Sequence, residues 1–140
     1  MTGWGSFRDL VKGCNFTYGF DLFCTRGAGQ DYFNIYTTDG DRFQLSSIDM
    51  LECRDDPTFD PGLPMTNFDT IEFSGMGRVN SEGAGGYFNN TPMPIGCRVS
   101  DGGEPGVGVD YIDFVLGDPG NPWIAVFGWP FAGNHNALPH

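Results

Sequence analysis

The sequence is short of lysine: it has one, Lys12, beside six arginines and eighteen carboxylates. A chain without a basic patch has no electrostatic footprint for nucleic acid or for an anionic membrane surface. Histidine occurs twice, at His135 and His140, both in the closing stretch GNHNALPH, which reads as a polar tail. With no Gly-x-Ser-x-Gly elbow either, a Ser-His-Asp or Cys-His nucleophile is not expected. No CxxC pair is present, which argues against a zinc ribbon and a thioredoxin motif. No apolar run approaches the ~18 residues of a membrane-spanning helix. The opening MTGWGSFRDLVKGC has no apolar signal-peptide core, so a secreted form is expected to be a mature chain or a module. Alanine and leucine are scarce, and a helical domain needs them.

Turn formers and aromatic mass take their place. There are 22 Gly, 10 Pro, 13 Phe, five Tyr and three Trp in 140 residues. Aromatic and β-branched residues between dense Gly/Pro breaks describe an all-β chain of one domain. The net charge is −11, carried by fourteen Asp and only four Glu. Asp favours turns, so this charge is expected in loops, where it suits solubility and divalent cations. Four widely spaced cysteines, Cys14, Cys24, Cys53 and Cys97, suggest two disulfides and an oxidising compartment. Three pairings are open, and Cys14–Cys24 requires the segment between them to bend.

Period-two alternation starts at Cys14, with Phe16, Tyr18, Phe20 and Leu22 on one face. Further strands are expected at 31–38, 42–53 (bent near Ser46-Ser47), 69–80, 87–100, 109–116 and 123–131. Asp39-Gly40 is a hairpin signal. Gly75 and Gly77 mark bulges or close packing, and Pro92 and Pro94 mark an edge or excursion. The expected fold is a single antiparallel β-sandwich over residues 1–140, immunoglobulin-like or jelly-roll-like, with about seven to nine strands. Residues 1–13 form an N-terminal docking segment. Residues 123–140 form an apolar C-terminal strand, covered on both faces, plus the tail.

Three pieces occur in order: CNFTYGFDLF, FSGMGRVNSEGAGGYF (73–88) and VSDGGEPGVGVDYIDFVL (99–116). The series resembles a β-rich domain that recurs in bacterial secreted and cell-surface proteins, often behind choice-of-anchor A domains. The resemblance covers most of 14–116 and implies an all-β extracellular domain without established catalysis. The four cysteines, the Pro-rich 54–67 loop, the double-Pro segment and the heavy aromatic C-terminus depart from that pattern.

Calcium takes six to eight oxygens from Asp, Asn and carbonyls. Candidate calcium loops carry Asp101, Glu104 and Asp110, and Asp55, Asp56 and Asp60, at the same end of the fold. Asp101-Gly-Gly-Glu-Pro105 is similar to the Asp-x-Gly-x-Pro turn of cadherin repeats. It is read first as a structural turn, because Gly102, Gly103 and Gly106 permit its backbone angles. Among the carboxylates, Glu52 and Glu72 flank the long loop and are the pair to consider for glycoside hydrolysis, while Asp110 and Asp113 lie on opposite faces. Exposed Trp4, Trp123, Trp129 or Tyr87 would serve carbohydrate stacking. Trp123, Ile124, Val126, Phe127, Trp129 and Phe131 form an apolar segment suited to strand addition between copies. These readings converge on a non-catalytic, secreted or cell-surface structural protein that self-associates into a filament or surface assembly. The alternative is a monomeric calcium-dependent adhesion or polysaccharide-binding module. Calcium is the one cofactor expected.

Overall fold

The computed structural model describes residues 1–8, 14–25, 30–58, 68–82, 86–103, 110–130 and 132–137. Nine strands follow one another: β1 (Thr2–Arg8), β2 (Asn15–Asp21), β3 (Tyr32–Thr37), β4 (Asp41–Arg54), β5 (Thr70–Ser81), β6 (Thr91–Ser100), β7 (Tyr111–Asp118), β8 (Asn121–Gly128) and β9 (Ala132–Asn136). The all-β antiparallel class is as the sequence indicates. Two pieces differ from expectation. The 1–13 docking segment contains a ladder strand, β1, and the polar tail contains β9, which pairs with β1. Strict alternation is absent from both because glycines occupy their inward positions: Gly3 and Gly5 in β1 lie under the Phe20, Tyr18 and His135 side chains.

The strands form one continuous sheet, ordered β8-β7-β6-β5-β4-β3-β2-β1-β9, and the described residues contain no separate second sheet. The outermost strands β8 and β9 are nevertheless joined by residues 129–131 alone. A four-step link spans at most about 14 Å, so the sheet must curl until its ends approach each other. Side chains from distant strands therefore meet inside the curl. Phe16 of β2 and Phe33 of β3 lie 5.9 and 6.0 Å from Phe114 of β7, and Phe33 lies 5.6 Å from Phe73 of β5. Phe20, Phe33, Phe43, Phe73 and Phe114 are fully buried. Each contributes about 1.5–3 kcal/mol of burial.

The bend is concentrated in β4. Its inward residues Phe43, Leu45, Ile48, Leu51 and Cys53 are spaced two, three, three and two apart, which no regular strand permits. Two register shifts, at Leu45/Ser47 and Ile48/Met50, absorb the extra residues as bulges. Across from them, Gly75 has no room for a side chain: a Cβ there would lie 2.1 Å from the Ser47 carbonyl oxygen. Pro92 and Pro94 do lie in β6, but β7 pairs with it only from Ile95 onward, so that half of β6 is an edge.

Candidate functional surfaces

The connections on either side of β5 and β6 meet at one end of the curl, where the metal-site candidates cluster. Asp101 and Asp110 are buried there, and both are committed to backbone amides. Asp101 Oδ1 accepts from Gly103 N at 2.9 Å, closing its own turn, and its Oδ2 accepts from Ala137 N at 2.7 Å. Asp110 Oδ1 accepts from Gly102 N at 3.0 Å, and its Oδ2 accepts from His135 N. The amides of His135 and Ala137 point away from β1, so these two carboxylates cap the outer edge of β9 and close the seam of the sheet. All four oxygens accept hydrogen bonds from backbone amides, an arrangement that closes this edge of the sheet. Asp55 and Asp56 lie across the same end, and Asp56 N donates to both oxygens of Asp69 at 2.9 and 3.1 Å. Among the described residues, no three His, Cys, Asp or Glu side chains converge on a single metal position. Glu104 and Asp60 lie outside the described residues.

Three residues that the sequence reading passed over complete the network. Buried Asp69 receives Thr70 Oγ1 at 2.7 Å, and the same hydroxyl oxygen lies 3.0 Å from Ser100 Oγ. Burial pushes the Asp69 carboxyl above its usual range, its Thr70 and Asp56 donors pull it down, and the Asp55 carboxyl pushes it up again. The Ser100 carbonyl continues the network to His135.

His135 is the clearest correction to the sequence reading: it is 1% exposed, inside the curl, not in a solvated tail. Its Nδ1 lies 2.8 Å from the Ser100 carbonyl oxygen, which can only accept, so Nδ1 carries the proton. Nε2 is then the acceptor for the Tyr18 hydroxyl at 2.6 Å. Burial holds the imidazole down at about 4, against the Ser100 hydrogen bond and Asp101, which favour its charged form. Burial, with Cys97 and Asp110 nearby, pushes the Tyr18 phenol far above its ordinary value. A neutral imidazole and a neutral phenol, hydrogen-bonded and meeting edge to face, hold β9 to β2 and β6. A GNHN tail gives little hint of this, because the signal is a single histidine at the inward position of a short strand.

Cys24 and Cys53 form a disulfide that ties the end of β2 to β4, with Cα atoms 5.8 Å apart. Cys14 and Cys97 are buried and do not form a second one. Burial, with a smaller effect from Asp113, pushes the Cys97 thiol well up, which is the state of an inert core thiol.

Glu52 and Glu72 are direct partners across β4 and β5, as the flanking positions suggested. Glu72 lies 3.4 Å from the Arg54 guanidinium. In the same cross-strand row, Arg98, opposite Glu72, pairs with Asp113 at 3.2 Å and stacks over the Tyr111 ring. Burial pushes the Asp113 carboxyl up and Arg98 opposes it. Both carboxylate–guanidinium pairs are internally neutralised.

The apolar C-terminal segment is covered on one face only. Ile124 and Val126 of β8 point into the core, and Trp123 packs edge-on against Phe88 at 4.9 Å. Phe127 is 68% exposed and Trp129 58% exposed, the latter edge-on to Tyr111. Phe131 lies outside the described residues. Among the described residues, β8 pairs with β7 on one side and no strand ladders against its other edge.

No protein-family model, curated protein or solved structure matches this chain.

Proposed function

We propose that this chain is a non-catalytic extracellular structural module that self-associates edge to edge through β8. One observation carries the reading: the two ends of the curled sheet are finished differently. Asp101 and Asp110 cap outer amides at β9, whereas among the described residues no strand pairs with the outer edge of β8, beside exposed Phe127 and Trp129. An open edge is a template for another strand. Charge singles out the same place. Residues 119–140 contain no Asp, Glu, Lys or Arg in a protein of net charge −11. Two acidic copies can meet there without bringing carboxylates together. The Cys24–Cys53 disulfide supports a compartment outside the reducing cytosol, and the resemblance to cell-surface β-domains points the same way.

Pairing of β8 with β8 is two-fold and closes on itself. A filament or surface layer additionally requires a second contact on each copy. The test is light scattering coupled to gel filtration, with the Phe127→Lys variant alongside. The wild type is expected at twice the chain mass, and the variant, whose new charge sits on the outer face of the edge strand, at the chain mass. A wild type that stays at chain mass over the whole accessible concentration range refutes the reading. So does a pair indifferent to Phe127→Lys. Negative-stain microscopy, with and without a calcium chelator, shows whether pairs grow into fibres and whether calcium sits at their joints.

A further inference from the structure

We infer that the outer face of β1, β2 and β3 is a binding site for a neutral glycan, independent of the β8 edge. The three strands are interior to the sheet, ordered β3-β2-β1-β9, so their backbones are already paired on both sides. Whatever binds here is held by side chains. Strand addition by a peptide is excluded, because no free ladder is offered.

The face has a repeating plan. The middle strand, β2, presents the short outward side chains of Asn15, Thr17 and Gly19, with Asp21 at its far end, while both flanking strands present exposed aromatic rings. Trp4 on β1 is 58% exposed; Tyr32 and Tyr36 on β3 are 42% and 43% exposed. β1 and β3 stand two strand spacings apart, about 10 Å, with β2 as the floor between them. Ser6, Thr17 and Tyr36 are aligned across the three strands in one row, and Trp4, Gly19 and Asn34 in the next. Gly19 is required by the surface itself: a Cβ there would lie 2.8 Å from the Tyr32 hydroxyl oxygen, which reaches across β2 toward Trp4.

A groove of about 300 Å³ runs along this floor, lined by Ser6, Asn15, Thr17, Tyr36 and Thr38 among others. That is the lower end of the range for small-molecule clefts. Its lining contains hydroxyls, an amide and an aromatic ring, and no carboxylate or cation. Arg42 stacks over the Tyr36 ring from the β4 flank, which steadies the ring and leaves its Thr17 side to the groove.

The ligand chemistry follows from that inventory. The groove lining itself offers no cation to a nucleotide or acidic polymer and no carboxylate to a cationic ligand; the charged side chains of this face, Arg8 and Asp21, stand at its two ends, outside the lining. A purely apolar ligand would strand Ser6, Asn15, Thr17 and Thr38 without water. A pyranose matches on both counts. Its axial C–H face stacks on an exposed ring, and its hydroxyls, each both donor and acceptor, match side-chain hydroxyls and amides of the same kind. Tyr36 lines the groove, and Trp4 stands one row beyond it on β1, diagonally across β2, so the two rings give two stacking positions with Ser6 and Thr17 beside them. A short run of an uncharged polysaccharide fits that arrangement.

The test is affinity electrophoresis in native gels cast with soluble neutral polysaccharides (xylan, mannan, a mixed-linkage β-glucan and hydroxyethyl cellulose), plus pull-down on insoluble cellulose and chitin. Wild type, Trp4→Ala, Tyr36→Ala and Phe127→Lys are compared, with thermal midpoints confirming that each is folded. Retention by at least one of these polymers is expected. It should weaken about ten-fold in Trp4→Ala and again in Tyr36→Ala, the effect of losing one stacking ring. Phe127→Lys should bind as the wild type does, whatever its oligomeric state, so this site and the β8 joint can fail separately. No retention on any of the six polymers overturns the inference. Retention that survives both ring deletions overturns it equally.

Discussion

Acidification tests the seam of the sheet most sharply, because the seam contains a histidine that must stay neutral. Folding lowers the His135 imidazole from 6.5 to about 4. The sign follows from the lowered value. The unfolded chain takes up the proton first, so stability is complete above pH 6.5, falls as the pH drops through the window from 6.5 to 4, and levels off below. The full difference, about two and a half units at 1.36 kcal/mol each, is roughly 3 kcal/mol, of which about 2 kcal/mol is lost by pH 5. Two carboxyls act in the opposite direction. Asp69 and Asp113 are raised, so their protonation favours the folded state as the pH falls through their folded values. The total stability curve is therefore shallower than the His135 contribution alone.

The assay reads the imidazole directly. In a His140→Gln variant His135 is the sole histidine, and its ring nitrogens can be followed by NMR from pH 8 to pH 3.5. The expected spectrum is a neutral ring, protonated on Nδ1, that begins to titrate only below pH 5. Urea unfolding of the same variant should show a lower midpoint at pH 5 than at pH 7, by at most about 1 M for a slope near 2 kcal/mol per molar, since Asp69 and Asp113 offset part of the His135 loss. An imidazole that titrates at 6.5 or above, or one protonated on Nε2, refutes the account of the seam. Either result would mean that Tyr18 and Ser100 do not clamp the ring in solution.

Two further expectations follow from geometry. Replacing Cys24 and Cys53 by serine opens a link across 29 residues and should lower stability by about 3.6 kcal/mol in the chain-entropy account, read as a drop in the denaturant midpoint against the oxidised wild type. An unchanged midpoint would show that the bridge constrains nothing in the unfolded chain. Gly75→Ala and Gly96→Ala should separate cleanly. A Cβ at Gly75 meets the Ser47 carbonyl at 2.1 Å and should cost about 1–3 kcal/mol, whereas a Cβ at Gly96 meets nothing within 4 Å and should be neutral or slightly stabilising. Equal thermal midpoints for the two would remove the close approach of β4 to β5.

Most of the fold was legible in the alternation of Phe16, Tyr18 and Phe20 and of Ile112, Phe114 and Leu116, since a buried sheet face imposes period two on the chain. The bend at Ser46-Ser47 and the crowding at Gly75 and Gly77 were legible for the same reason. β1 and β9 were not. Apart from Phe7, their inward positions are Gly3, Gly5, Gly133 and His135, small or polar residues that carry no hydrophobic period, and Tyr18 and Phe20 reach over them from β2. Curling of one sheet was hidden too, because it follows from which strands are neighbours and from a three-residue link between the outermost two.

The Asp-Gly-Gly-Glu-Pro-Gly turn shows why the site was harder to read than the fold. Asp101 and Asp110 attract attention as metal ligands because a sequence records carboxylates and not the amides they face. In the folded chain two of those amides, of His135 in β9 and of Ala137 just after it, lie more than twenty residues farther on, and the carboxylates cap that edge of the sheet. The inventory of charge is thus mostly architecture in this molecule: Asp101 and Asp110 cap an edge, Asp69 anchors a connection, and Glu72 and Asp113 are matched by arginines. The two recognition surfaces we propose lie where charge is missing. Those are the neutral β8 edge and the hydroxyl-and-aromatic floor of β2, and both were written in the sequence as absences. The first is a C-terminal run without a single ionised side chain, and the second a strand whose outward positions are almost all small. In a chain of net charge −11, an uncharged surface is where a partner can approach without an electrostatic penalty.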